Sequence, residues 1–289
     1  MKAPIFFALV LVIGISVSCK KNPATKNDTY GAVRMNIRHS ISGNDFVKDT
    51  LQYANVAGNR YLISEIQWFL SNVIFEKSDG TLVKSGQSED IYYVDTDIPE
   101  NCSVLISNLP VGDYKSIQFT FGLDEITNTS FRFVNPPESF MFWPEYLGGG
   151  YHYMKLNGKW LNTNDELAPF NFHLGIGQLS WNKTFNDTDF FDFGLANAYE
   201  HCEGFAPPFK LARISQFVQN YFISSQEIEF TIVEQSNTTF SLEMQVDKWF
   251  DSDQPFNFDS WGGSIMQQQP AQEMARLNGQ KVFRISLIN

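Results

Sequence analysis

The sequence predicts an all-β fold, an antiparallel β-sandwich with one short helix near the C-terminus, and three observations carry that prediction. Aromatic residues make up 15% of the chain, with Phe 27, while charged residues reach only 18%. Aromatic side chains suit pleated, half-buried surfaces. Apolar and polar residues alternate in short runs broken by turn signals, the spacing of a sandwich. No Gly-x-Gly-x-x-Gly, no Walker loop and no regular alternation of strand and helix occurs, which argues against the parallel nucleotide-binding folds.

Each element has its own signal. Val33, Met35, Ile37 and His39 alternate with Arg34, Asn36 and Arg38, so this strand turns its histidine toward the apolar side. Residues 61–75 are too apolar, and too rich in β-branched and aromatic side chains, for a surface helix, and read as strand. Asp79-Gly80 closes a hairpin before Leu82 and Val83. Residues 91–95 and 103–106 are short strands, and the turn over residues 108–114 leads into a strand at 116–121. Residues 151–156, 170–176, 228–233 and 239–246 continue the pattern. Residues 271–277, ahead of Asn278-Gly279, have helical spacing and a stop signal, and residues 281–287 form a closing strand. No Pro/Gly/Ser-rich boundary and no repeat divides the chain, so residues 31–289 are expected to form one domain.

Residues 1–18 read as an export signal: one lysine, an apolar run over 5–17 too short to span a bilayer comfortably, then Ser16-Val17-Ser18-Cys19. That box is similar to the cleavage site of bacterial lipoproteins, with Ser16 where Leu or Ile is usual. Cys19 is then the lipidated first residue, and residues 19–30 a polar tether. The expected location is the bacterial cell envelope, on the periplasmic or outer-membrane surface. The lipid, rather than basic residues, is expected to hold the protein to a membrane, because the formal charge is −11 and the pI about 4.8. The same charge disfavours nucleic acid, which needs a basic face. Cys102 and Cys202 remain; an oxidising compartment permits a disulfide between them, and two buried thiols are the alternative.

The densest constellation of reactive side chains is Met141-Phe142-Trp143, then Gly148-Gly149-Gly150-Tyr151-His152, then Phe172-His173-Leu174-Gly175. The glycines permit positive φ or close backbone approach. His152 is expected on a strand face shared with Met154 and Leu156, and His173 on one shared with Asn171. Two imidazoles on neighbouring stiff strands suit copper or zinc with open positions. Core histidines with satisfied hydrogen bonds are the structural alternative.

The ordered set Trp68-Phe69-Leu70-Ser71-Asn72, Leu109-Pro110-Val111-Gly112-Asp113-Tyr114, Phe119-Thr120-Phe121-Gly122-Leu123-Asp124, Met141-Phe142-Trp143, Lys155-Leu156-Asn157-Gly158 and Phe172-His173-Leu174-Gly175 resembles the MbnP-like family. The tail, from Met244-Gln245-Val246-Asp247-Lys248-Trp249-Phe250 through Gly262-Gly263-Ser264-Ile265-Met266 to Val282-Phe283, is similar to it as well. The resemblance implies an exported β-sandwich. In copper-binding members it implies a mononuclear site of two histidines plus a kynurenine, made from a tryptophan by a di-haem peroxidase-like partner protein.

Carried onto this chain, the resemblance implies His173 as a ligand and Trp143 as the oxidised-tryptophan candidate. His39, in Ile37-Arg38-His39-Ser40, and His152 stand as alternatives for the second ligand. Pro144-Glu145-Tyr146 replaces a second tryptophan found in many members. The leading expectation is a lipid-anchored copper-binding protein for sequestration or delivery, not itself an enzyme. The alternative is a ligand-binding or interaction module of the cell envelope with structural histidines. A redox enzyme is a third class, and Ser-His-Asp hydrolysis lacks a Gly-x-Ser-x-Gly elbow. Asp124 with Asn128, and Asp251 with Asp253, are read as turn chemistry before calcium ligands. Trp160, Trp181 and Trp261 are read as core before a sugar platform, and His201 as a surface residue. Copper affinity is expected to fall below the histidine reference pKa of about 6.5.

Overall fold

The computed structural model describes residues 29–85, 90–184 and 211–288. The export signal, Cys19, residues 20–28 of the expected tether, His201 and Cys202 lie outside the described residues, as does the side chain of Trp181, while Tyr30, expected at the end of the tether, opens the first strand. Among the described residues no helix is long and apolar enough to cross a membrane.

Strands make up about half of the protein. β1 (Tyr30–Ile41), β2 (Asn44–Asp45), β7 (Ser103–Pro110), β14 (Asn237–Gln245) and β15 (Phe283–Leu287) form one sheet, in which β1 is flanked by β14 and by β7 and β2. The second sheet runs β10 (Leu167–Leu174), β9 (Met154–Leu161), β4 (Arg60–Lys77), β8 (Gly112–Phe121) and β13 (Phe222–Ile232). Its 18-residue β4 also pairs with the short β3 (Tyr53–Ala54), β5 (Leu82–Lys84) and β6 (Ile91–Asp95). β11 (Gly177–Thr184) and β12 (Leu211–Val218) make a separate hairpin.

The sandwich is as expected, with two differences. β1 and β14 run parallel, with His39 opposite Met244, a pairing between distant segments that carries no local turn signal. Three α-helices, not one, follow β14: α1 (Lys248–Asp251), α2 (Phe258–Trp261) and α3 (Gln269–Gly279). The first two are single turns, too short to show helical periodicity. α3 opens with a proline in its first turn, where a missing N–H costs nothing.

The core between the sheets is aromatic. Trp68, Phe75, Phe119, Phe121 and Trp249 are fully buried. Trp68 packs on Phe121 and Phe283 with centroids 6.0 and 5.2 Å apart, contacts that add about 0.5–1.5 kcal/mol each beyond area burial. The indole N–H of Trp68 donates to Nε2 of His39, 3.0 Å away, so a histidine of the five-stranded sheet satisfies a donor of the eight-stranded one. Losing such a buried acceptor costs about 1–3 kcal/mol.

Candidate functional site

The register of the eight-stranded sheet decides which histidines can meet. Trp68, Met154 and Leu174 lie opposite one another across β4, β9 and β10, and all are buried. Gln67, Lys155 and His173 form the adjacent row. Side chains alternate along a strand, so this second row points away from the sandwich core. His173 therefore sits on the outer face of the sheet, while His39, bonded to Trp68, sits on the inner face.

The segment between β8 and β9 roofs that outer face. Its single turns over Glu138–Met141 and Glu145–Leu147 flank Trp143. Gly148, Gly149 and Gly150 all have positive φ (119, 69 and 76°), as the glycine run suggested. They reverse the chain so that Trp143 N donates to Gly150 O at 2.8 Å and Tyr151 bridges to Phe142. This reversal breaks the strand expected over residues 151–156. β9 begins at Met154, and His152 stands in the link before it, off the parity of the strand.

The result is a buried pair. The rings of His152 and His173 lie 5.0 Å apart at 85°, and Trp143 packs against His152 with centroids 4.7 Å apart. His152 is 5% exposed and Trp143 fully buried. Each imidazole has one nitrogen occupied. Nδ1 of His152 is 2.8 Å from the Met141 carbonyl oxygen; a carbonyl only accepts, so this nitrogen carries the proton. Nε2 of His173 is 2.7 Å from Oδ1 of Asn157. The remaining atoms, Nε2 of His152 and Nδ1 of His173, are buried without a hydrogen-bond partner. Each ring is thus held by one hydrogen bond and leaves its other nitrogen without a protein partner; leaving such a polar atom bare costs about 1–3 kcal/mol.

Electrostatics keep both rings neutral. Burial, then the neighbouring His173 ring, holds His152 well below the usual histidine range; burial and the Lys155 amine hold His173 down to about 3. Neutral imidazoles are what a metal requires, so the onset of proton competition lies well below the reference value of about 6.5. Among the described residues no group of three His, Cys, Asp or Glu side chains is placed to hold a metal. The pair supplies two nitrogen donors, with Trp143 as the adjacent side chain. Gly175 fits Trp143 there: a Cβ on it would stand 2.6 Å from the indole. Its peptide is fixed by buried amides, Asn220 donating to its carbonyl at 2.9 Å and its N–H reaching Gln272 at 3.3 Å.

The other candidates have structural duties. Asp124 Oδ1 accepts from Ile126 N, Thr127 N and the Thr127 hydroxyl, and its Oδ2 from Asn72, which is turn chemistry. Asp251 accepts from Val56 N at 2.8 Å, and Asp253 pairs with Lys281. Trp160 is buried, stacked on Phe258 and bonded to Asp259. Cys102 is half-buried, with its thiol toward the Asp95 carbonyl. The sequence reading missed Asn157 as a site residue, although it stands in Lys155-Leu156-Asn157-Gly158 and, like His173, lies on the outward side of the strand alternation.

An all-β sandwich carrying a buried imidazole pair, each ring with one bare nitrogen, beside a tryptophan defines the class. The family model for MbnP matches residues 30–267, and the chain belongs to that family. Among solved structures it is similar to MbnP from Methylosinus trichosporium, with a TM-score of 0.54 at 12% identity, covering 90% of this chain and 99% of that one. No curated protein matches the sequence.

Proposed function

We propose that this member of the MbnP family is an exported, lipid-anchored protein that binds copper through His152 and His173 and sequesters or delivers it without catalysing a reaction. The observation that carries the reading is the pair of buried, bare nitrogens, His152 Nε2 and His173 Nδ1, on rings 5.0 Å apart. Two neutral nitrogen donors without a carboxylate favour copper over zinc at equal availability, by the Irving–Williams order. Trp143 is the side chain proposed for oxidation to a further donor by a di-haem peroxidase-like partner, and its packing against His152, with ring centroids 4.7 Å apart, supports the nomination. Its indole is fully buried, so oxidation by a partner requires either electron removal through the protein or opening of the roof.

One experiment tests anchor and metal together. The protein and its Cys19→Ala variant are purified from the native host, with metal content measured after fractionation. The parent is expected in the membrane fraction with copper in excess of zinc, and the variant in the soluble fraction with the same copper. A parent free of copper removes the metal reading, and a membrane-bound variant removes the lipid anchor.

A second reading, an interaction module of the cell envelope, is favoured by one feature of the segment joining β8 to β9. Ile126, Phe131, Val134 and Phe140 are 85%, 74%, 77% and 68% exposed on the segment that also carries Trp143. Exposed apolar side chains, where they gather into one patch, mark contact surfaces.

A further inference from the structure

The outer face of the eight-stranded sheet carries a relay that ends on His173. Asn157 lies opposite Glu65 on β4, and its Nδ2 is 2.7 Å from Glu65 Oε2. A carboxylate accepts hydrogen bonds, so the amide nitrogen of Asn157 faces Glu65 and its oxygen faces His173. The His173 nitrogen 2.7 Å from that oxygen, Nε2, is consequently the donor. The proton is thus fixed on Nε2, and Nδ1 is left as a bare, buried lone pair on a ring whose centroid lies 5.0 Å from that of His152. Nothing else on the ring settles this choice, since an imidazole without the relay exchanges its proton between the two nitrogens.

We propose that Asn157, oriented by Glu65, is the positioning residue that presents the Nδ1 lone pair of His173 to the metal. The inference rests on reading the pair as a metal site, but its first consequence is visible without metal. Partners behind a ligating imidazole fix its tautomer and ring orientation, and their removal typically costs about 10–100-fold in metal affinity. Asn157→Leu removes the acceptor. Glu65→Gln combined with Asn157→Asp exchanges donor and acceptor along the relay while keeping an oxygen toward His173, and so acts as the rescue.

The test is a long-range proton–nitrogen NMR correlation of the histidine rings in the metal-free full chain, followed by copper titration. The parent is expected to show His173 as the Nε2–H tautomer. Asn157→Leu is expected to lose that single tautomer and to bind copper about 10–100-fold more weakly, and the double variant to recover both. An Nδ1–H tautomer in the parent overturns the proposal, and does so even if Asn157→Leu fails to fold. Unchanged tautomer and affinity in Asn157→Leu overturn it too. A parent that shows the expected tautomer yet binds no copper removes the metal reading instead, which keeps the two failures apart.

Discussion

His173→Ala and His152→Ala are each expected to abolish copper binding, while His201→Ala leaves it intact. The two imidazoles are neighbours, with ring centroids 5.0 Å apart, and each keeps one buried nitrogen without a hydrogen-bond partner; with one ring gone, a single donor remains, and no group of three His, Cys, Asp or Glu among the described residues replaces it. The fold loses the ring's packing and its one hydrogen bond, to the Met141 carbonyl or to Asn157, and this loss is partly offset because the unpartnered buried nitrogen, a penalty of about 1–3 kcal/mol, goes with it. Competition titration with a copper chelator, alongside thermal melts, reads both. Copper binding that survives either substitution at parental affinity places the metal elsewhere.

The second large effect is on stability in acid. Burial lowers His39 to about 4, and burial with Lys155 lowers His173 to about 3, whereas an unfolded histidine titrates near 6.5. Between those values the unfolded chain takes up protons that the native state refuses. Stability is thus complete above about 6.5 and falls with pH toward the folded values, by about 1.4 kcal/mol per pH unit for each histidine. Other groups titrate over the same range, so the contribution is isolated by a variant. His39→Gln keeps an acceptor for the Trp68 indole and removes the titration. Denaturant unfolding of metal-free protein from pH 7 to pH 4.5 should show the parent losing on the order of 2–3 kcal/mol more than His39→Gln. Parallel pH profiles would mean that His39 is not held neutral by the core.

Much of the scaffold was legible because the signals are local. The alternation of Val33, Met35, Ile37 and His39 predicted β1 and its inward histidine, and Asp79-Gly80 marked the turn between β4 and β5. Pairing between distant segments was not legible: nothing in residues 33–39 announces a parallel partner more than two hundred residues away, and single-turn helices such as α1 have no period to detect. The site divides in the same way. His173 and the tryptophan of Met141-Phe142-Trp143 were visible by motif, and the outward direction of Asn157 and His173 follows from alternation. That His152 rather than His39 meets His173 depends on the reversal at Gly148, Gly149 and Gly150, which takes His152 out of strand parity, and on the sheet that separates the inner from the outer face. Neither is a property of a short window of sequence.

The most direct test of the central claim is crystallographic: an anomalous difference map from crystals of the full chain equilibrated with copper. The account predicts one strong peak about 2 Å from both Nε2 of His152 and Nδ1 of His173, with Asn157 still bonded to Nε2 of His173 and Trp143, or its oxidised product, alongside. A peak coordinated by His39 or by surface carboxylates, with the His152–His173 pair left bare, would contradict it.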